Sequence, residues 1–305
     1  MESENGLLVV GSIALDTVET PFNRVENALG GSTTYITIAA GYFCKPVNVI
    51  GVVGEDFEMK HIDLLKSHGG NLKYLEVVKG GKTFRWGGRY HLNFNNRDTL
   101  FTELNVFENF NPIIPDELRK SKYIMLGNID PVLQLHVISQ LDNPKFIIVD
   151  SMNLWINIRL KELFEVISKA DLLIINDSEA QMISGEHNII YAAEKILNMG
   201  CKNLIIKKGE HGALLFNGNE VFSAPALPLK EIADPTGAGD TFAGGLAGYV
   251  ANSDDISFEN LKKGVIYGSV LASFNVQKFS TMGIENLSKE KINERFDEFK
   301  KLVSF

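Results

Sequence analysis

The sequence predicts an α/β protein with a mainly parallel central sheet and helices on both of its faces. Short apolar runs rich in Val, Ile and Leu recur along the chain, and each is bounded by turn residues. Amphipathic segments of helical length separate most of these runs. Such alternation is typical of parallel sheets, whose ligand sites lie at the carboxyl ends of the strands.

Six of the apolar runs are predicted strands: residues 7–13, 47–53, 123–129, 146–150, 172–176 and 204–207. The predicted helices between them cover residues 57–68, 132–141, 158–170 and 189–199. Beyond residue 220 the pattern becomes helical, over residues 236–250, 258–276 and 289–302. No repeat or linker divides the chain, so we expect a single domain over residues 1–305.

Two stretches, about residues 14–31 and 80–110, interrupt this alternation. Residues 17–30 carry no helical pattern, and residues 82–90 alternate as a strand does. We interpret both stretches as strands of a small separate sheet that closes over a ligand as a lid. An edge hairpin without a gating role is the alternative, because exposed alternating strands are common in mixed sheets.

Composition and charge exclude several classes of protein. The chain has 305 residues, of which 45% are hydrophobic and 22% charged, as expected for a globular protein with a sizeable core. A formal net charge of -8 argues against nonspecific binding of nucleic acid. An anionic ligand must therefore be held by a local arrangement such as a helix N-terminus.

The sequence also bears on the compartment and on the cysteines. No apolar run approaches the roughly 18 residues of a membrane span, and residues 1–5 lack the basic start of a signal peptide. We therefore expect a cytoplasmic protein with no membrane partner. Cys44 and Cys201 lie far apart inside apolar patterns, so we expect buried free thiols.

The strongest chemical signal lies where a Gly-rich turn precedes a long apolar helix, at residues 233–250. The backbone N–H groups of Gly237, Ala238 and Gly239 at such a helix start form an anion hole. Asp240 follows in the first turn, where a bound hydroxyl could give it a proton while attacking a phosphoryl group. The alternative is that Asp240 only complements the helix dipole and that the glycines serve packing.

The run Asp-Pro-Thr-Gly-Ala-Gly-Asp-Thr-Phe, residues 234–242, closely resembles the C-terminal signature of the ribokinase-like, or pfkB, carbohydrate and nucleoside kinases. Four further features fall in the family's order along nearly the whole chain: residues 11–16, 30–31, 176–179 and 208–213. The resemblance implies a three-layer α/β/α ribokinase-like core with a β-sheet lid. It also implies ATP and Mg²⁺ as cofactors.

The resemblance assigns roles on the nucleotide side. Asp240 resembles the family's catalytic base, and Gly237, Ala238 and Gly239 resemble its anion hole. Asn176 and Glu179 match an Asn-x-x-Glu motif that helps to organise Mg²⁺, and they also fit a helix capping pattern. The nucleotide-binding residues implied are Asn176, Lys208, Gly209, Gly212, Thr236, Gly237, Gly239 and Ser269. A hairpin turn explains residues 208–212 equally well.

On the acceptor side, Asp16 matches the family's substrate-binding aspartate, whose carboxylate accepts hydrogen bonds from hydroxyl groups. Gly30 and Gly31 match the paired glycines that let the backbone approach the substrate. Tyr35 stands where the family usually has asparagine, which weakens the inference of a specific sugar. Its ring either packs on a sugar or base face or belongs to the core.

Arg85 lies on the predicted lid and is assigned to substrate binding with Asp16, Gly30, Gly31, Tyr35 and Asp240. A guanidinium suits an anionic group on the substrate or nucleotide. The alternative is a solvated strand face or a subunit contact, which also applies to Arg89. Lid sheets of this family often pair between subunits, so we expect a homodimer through the lid.

These features predict an ATP-dependent phosphotransferase that phosphorylates a hydroxyl group of a sugar, which is then its small-molecule partner. A nucleoside kinase of the adenosine type is the first alternative. A noncatalytic nucleotide or sugar sensor is the second, although such a protein has no need of Asp240 as a base. Activation by a monovalent cation, known among relatives, would use mainly backbone carbonyls and leaves no mark in the sequence.

Overall fold

The computed structural model describes residues 6–304 with the exception of 93, 95 and 219. In chain order the strands are β1 (Leu7–Val10), β2 (Ala14–Glu19), β3 (Arg24–Gly30), β4 (Val47–Gly54), β5 (Gly70–Asn71), β6 (Leu75–Val78), β7 (Phe84–Tyr90), β8 (Arg97–Glu103), β9 (Tyr123–Leu126), β10 (Phe146–Asp150), β11 (Leu172–Asn176), β12 (Asn203–Lys207), β13 (Ala213–Asn217) and β14 (Glu220–Ala224). The six predicted strands are β1, β4, β9, β10, β11 and β12.

The central sheet runs in the order β14-β13-β12-β11-β10-β9-β1-β4-β5, and β6 also pairs with β4. Every pair from β12 to β5 is parallel, and only the hairpin β12-β13-β14 is antiparallel. The mainly parallel sheet is therefore confirmed. β1 and β9 end earlier than predicted, at Val10 and Leu126, and each is followed at once by a glycine.

The helices are α1 (Ser32–Ala40), α2 (Met59–Ser67), α3 (Pro131–Ser139), α4 (Asn153–Ile158), α5 (Leu160–Ile167), α6 (Asp177–Ser184), α7 (Ile189–Leu197), α8 (Ala238–Ser253), α9 (Phe258–Asn275) and α10 (Lys289–Val303). The predicted helix at 158–170 corresponds to α5, which is separated from the preceding α4 because Arg159 leaves the helical region with φ −138°. No helix in the described part of the chain is long and apolar enough to cross a bilayer.

The sheet lies between two helical layers. Alternate residues of β1 point to opposite faces, so Leu8 and Val10 join one buried cluster while Leu7 and Val9 join another. The first cluster includes side chains of α3, α5, α6 and α7, and the second includes side chains of α1, α8 and α9. The expected three-layer α/β/α core is thus confirmed.

Helices α1 and α8 lie in direct backbone contact on the second face. A methyl group added at Gly244 would come within 2.6 Å of the Ile36 Cα atom, and one added at Gly248 within 2.6 Å of the Ala40 Cα atom. Any larger residue at these two positions would force the helices apart. The glycines of α8 therefore fix its distance from α1 along the whole length of the contact.

The small separate sheet has the order β3-β2-β7-β8. β2 pairs antiparallel with β3 and parallel with β7, and β7 pairs antiparallel with β8. The register of β7 against β8 shifts between Gly87 and Gly88, as it does at a β-bulge. The small sheet is present as expected, and we refer to these four strands as the lid.

The two cysteines are buried free thiols, as the sequence predicts. Cys44 is 1% exposed and Cys201 is 4% exposed. Burial raises the pKa of each thiol to about 12, so neither ionises near neutral pH. Both side chains therefore serve packing.

Candidate active site

Three neighbouring strands end in polar residues at the carboxyl edge of the sheet. β10, β11 and β12 close with Asp150, Asn176 and Lys207. The Nζ atom of Lys207 lies 3.3 Å from Oδ1 of Asp150, and the two side chains are 19% and 6% exposed. Sequence reasoning placed a site at this edge but missed Asp150 and Lys207. The signal that could have found them is a charged residue at the end of an otherwise apolar strand.

The N-terminus of α8 lies beside this pair. Gly237 precedes the helix in the left-handed region, with φ 72° and ψ 2°. The Ala238 amide donates to the Pro235 carbonyl at 3.1 Å, so the predicted anion hole loses one of its three donors to a turn. Within the described chain, the amides of Gly237 and Gly239 have no backbone acceptor. These two amides are the ones available to an anion.

Asp240 occupies the first turn of α8, as predicted. Desolvation and the negative charges of Asp150 and Glu179 raise its pKa, while Lys207 and Arg97 act in the opposite direction. The resulting pKa is about 7. A carboxyl group with that pKa is suited to accept a proton at neutral pH.

The lid reaches this centre through Tyr90 and Arg97. The Tyr90 hydroxyl lies 3.2 Å from Oγ1 of Thr236 and 3.4 Å from a guanidinium nitrogen of Arg97. Arg97 also lies over the Trp86 ring, 5.2 Å from its centroid. Burial raises the pKa of Asp16, Glu179 and Asp240, and the positive charge of Arg97 partly opposes that rise in all three. Arg97 was missed by sequence reasoning, because no motif in the neighbouring residues marks it as part of the site.

Asn176 and Glu179 form the capping arrangement that was the alternative to a metal role. Asn176 Oδ1 accepts from the Glu179 amide and Glu179 Oε2 accepts from the Asn176 amide, each at 2.8 Å. Burial raises the pKa of Glu179 to about 7, with Asp150 adding to the effect. The cap leaves Glu179 Oε1 outside these bonds.

The donor set suits Mg²⁺. Asn176 and Glu179 offer oxygen atoms, which a hard cation prefers. The described residues contain no group of three or more His, Cys, Asp and Glu side chains that could enclose a metal ion. An ion here would thus keep several waters and bind largely to nucleotide phosphates, which is the usual behaviour of Mg²⁺.

The residues expected around the nucleotide are less clearly brought together. The Lys208 amide donates to the Gly212 carbonyl at 2.7 Å, and Gly209 opens a short 3₁₀ turn, so residues 208–212 do form the hairpin turn of the alternative explanation. The Ser269 hydroxyl donates to the Val265 carbonyl at 2.9 Å within α9. Thr236 is buried in the turn before α8, next to Tyr90.

On the acceptor side, Asp16 is buried and its Oδ1 atom has no hydrogen-bond partner within the described chain. Burial and the charges of Asp234 and Asp240 raise its pKa to about 7. Gly30 lies against the Asp16 carboxylate, and Gly31 adopts a φ of 86° that favours glycine. The structure therefore groups Asp16, Gly30 and Gly31 as the sequence predicts.

Tyr35 follows its alternative explanation and belongs to the core. It is 2% exposed and packs with Ile38, Leu65 and Ile284. A methyl group added at Gly237 would overlap its ring. The Tyr35 ring thus packs against the turn before α8. The expectation that this ring packs on a sugar or base face is wrong, because the ring is buried in the core.

Arg85 ties the lid to the core. Its guanidinium donates to Asn27 Oδ1 at 2.6 Å and to Asp56 Oδ2 at 3.0 Å. Asp56 also accepts from the amide and hydroxyl of Thr83, each at 2.7 Å. In place of the ligand anion expected from the sequence, the Arg85 guanidinium therefore binds Asn27 and Asp56. Arg89 likewise pairs with Glu19, at 2.8 Å.

A family model for pfkB family carbohydrate kinases matches residues 6–287. The chain belongs to this family. The kinase activity and the ribokinase-like fold expected from the sequence are thereby confirmed.

Two relatives and one solved structure illustrate how similar this chain is to other proteins. A cytidine kinase of Thermococcus kodakarensis is 31% identical over 254 residues, covering 80% of this chain and 88% of the relative. A deoxyribokinase of Salmonella typhi is 26% identical over 299 residues, covering 93% and 90%. A putative ribokinase II from E. coli in complex with ATP and Mg²⁺ superposes with a TM-score of 0.79 at 17% identity, covering 98% of this chain and 99% of that one.

Proposed function

We propose that this pfkB kinase transfers the γ-phosphoryl group of ATP to a hydroxyl group on a pentose, with Asp240 as the general base. The observation that carries the proposal is the position of Asp240 in the first turn of α8, beside the available amides of Gly237 and Gly239. The pKa of about 7 supports the role of a base. A noncatalytic sensor would need none of these features.

The acceptor class rests on the relatives and on Asp16. A cytidine kinase and a deoxyribokinase act on molecules that share a pentose. The buried, unpartnered Asp16 Oδ1 is an acceptor for sugar hydroxyl groups. We favour a nucleoside, because the cytidine kinase is the more similar of these two relatives. A free pentose is the second candidate, because the deoxyribokinase covers 93% of this chain.

The residues divide the work of the transfer. Asp16 orients the acceptor, and Asp240 takes the proton from the attacking hydroxyl group. The amides of Gly237 and Gly239 donate to the phosphoryl oxygens, where negative charge develops. Asn176 and Glu179 organise Mg²⁺, which supplies neutralisation of the phosphate charge when it is bound.

Two finer features belong to the same proposal. The Asn275 side chain donates to the Thr236 carbonyl at 2.8 Å, while its Oδ1 atom is buried and unpartnered within the described chain. We propose that a monovalent cation binds near this oxygen. A comparison of turnover in K⁺ and in choline tests this proposal.

The lid edge β8 is exposed along its length, and we propose that a second copy of the chain pairs there. Light scattering tests this proposal.

The experiment measures ADP release with Mg²⁺ and ATP across nucleosides and free pentoses, with Asp240→Asn run in parallel. We expect stimulation by one acceptor class and a loss of about 10²- to 10⁴-fold in kcat in the variant, with little change in ATP affinity. Undiminished turnover in Asp240→Asn would refute the mechanism. ATP binding with no stimulation by any acceptor would favour a sensor.

A further inference from the structure

Lys207 places an ammonium group directly at the N-terminus of α8. A methyl group added at Gly239 would lie 2.9 Å from Lys207 Nζ, so the ammonium group is a close neighbour of the Gly239 backbone. The next residue, Asp240, is the proposed base. The cation therefore stands beside the amide that we assign to the transferred phosphoryl group.

Lys207 is held in place by its strand and by one partner. It is the last residue of β12, in register with Asn176 at the end of β11. Its ammonium group bonds to Asp150 Oδ1 across that intervening strand. The ion pair with Asp150 holds the ammonium group in place at the strand end.

A partly buried ion pair of this kind is not explained by stability, because removing two charges from water offsets most of their attraction. The ends of β10 and β12, on either side of β11, would pack as well with apolar residues. The location instead matches what phosphoryl transfer requires, a preorganised positive charge where negative charge develops.

We propose that Lys207 is a catalytic residue whose ammonium group contacts the transferred phosphoryl group, and that Asp150 is the positioning residue that aims it. This inference rests on the proposed function and deepens it. In the step, the acceptor oxygen forms a bond to the γ-phosphorus and the bond from that phosphorus to the β,γ-bridging oxygen breaks. ADP leaves with the bonding electron pair, and the acceptor proton goes to Asp240. Lys207 keeps its proton throughout.

The test compares Lys207→Met with Lys207→Arg and with Lys202→Met as a matched control. Lys202 lies just before the same strand, is 74% exposed and pairs with Asp171, away from the site. We expect Lys207→Met to lower kcat by about 10²- to 10³-fold while the Kd for MgADP changes by less than about threefold. Lys207→Arg should restore part of the loss, and Lys202→Met should match the wild type.

A second readout needs no acceptor. MgADP with aluminium fluoride mimics the transferring phosphoryl group, and its affinity is measured by calorimetry. Lys207→Met should lose at least about tenfold in this affinity relative to MgADP alone, because only the mimic reaches the ammonium group. Equal losses for both ligands would assign Lys207 to the nucleotide and overturn the inference.

Asp150 is tested by a double-mutant cycle. Asp150→Asn alone should lower kcat, whereas in the Lys207→Met background it should have no further effect, since the group it aims is gone. Additive losses would remove Asp150 from this role. The double variant removes both charges of this ion pair, so it provides folded protein if Lys207→Met alone is unstable.

The outcomes separate this inference from the function on which it rests. Normal kcat in Lys207→Met, with an active wild type, overturns the role of Lys207 and leaves the kinase intact. A wild type that neither binds MgATP nor releases ADP with any acceptor refutes the proposed function, and this inference with it.

Discussion

Replacement of Gly237 by alanine is a quantitative test of how the turn before α8 is supported. Gly237 has a φ of 72°, and an added Cβ would overlap the ring of Tyr35. Gly185 provides a matched control, because its φ is also 72° and no atom of the described residues lies within 4 Å of an added Cβ. The two substitutions therefore share the backbone strain and differ in the steric overlap.

The magnitudes follow from these two terms. A left-handed backbone costs alanine about 1–2 kcal/mol at either position. At Gly237 the overlap adds about 1–3 kcal/mol, because Tyr35 is only 2% exposed and cannot move away without disturbing Ile38 and Leu65. We expect losses in unfolding free energy of about 2–5 kcal/mol for Gly237→Ala and about 1–2 kcal/mol for Gly185→Ala.

Urea unfolding of the ligand-free variants measures the difference, and turnover provides a second assay. A displacement of the turn by about 1 Å should lower kcat by about 10²-fold in Gly237→Ala, whereas Gly185→Ala should keep normal kcat. In a Tyr35→Leu background the overlap is relieved, so the penalty at Gly237 should approach that at Gly185. Equal unfolding free energies for the two alanine variants would refute this account of the turn.

Two further predictions concern the carboxyl groups of the site. Because Asp240 must be ionised to act as a base and its pKa is about 7, kcat/KM should fall as the pH drops below that value. Arg97→Met should move this acid limb to higher pH, since the charge of Arg97 lowers the pKa of Asp240. The control variant Arg89→Met loses only the ion pair with Glu19 and should leave the limb unchanged. Equal pH profiles for the two variants would contradict the placement of Arg97. Asp16 has a pKa raised from 3.8 to about 7 in the folded protein, so its contribution to stability is fully present below pH 3.8 and is lost as the pH rises through 7. Urea unfolding of ligand-free Asp16→Asn should therefore show a gain over wild type that increases from pH 5 to pH 8, by at most about 3 kcal/mol. A gain independent of pH would count against this linkage.

The fold was predictable because its signals are local. Buried parallel strands must be apolar throughout, so β1, β4 and β9 to β12 stand out in the sequence between amphipathic helices. The lid was predictable for the opposite reason, because β7 alternates without a helical period. The exact ends of β1 and β9 were not predicted, because each apolar run continues past the glycine at which the strand stops, as far as Ile13 and Ile129.

The candidate site was predictable where a residue lies inside a local motif. Asp240 and its glycines share one turn, and Asn176 with Glu179 share one cap. Lys207, Asp150 and Arg97 come together only through the pairing of distant strands and the placement of the lid, which a single sequence does not encode locally. Arg85 was assigned to a ligand because a guanidinium suits an anion. Its partner Asp56 lies 29 positions away in the chain, so the ion pair leaves no local signal.

The contact between α1 and α8 determines which parts of this kinase can change and which must keep their spacing. α1 begins directly after Gly31 of the acceptor side, and α8 begins with the phosphoryl side and Asp240. Gly244 and Gly248 hold the two helices at backbone contact. The distance between Gly31, at the proposed acceptor site, and Asp240, the proposed base, is therefore fixed by the core. A change in acceptor preference therefore has to arise in the lid and the strand-end loops. These segments can change without altering the distance between Gly31 and Asp240.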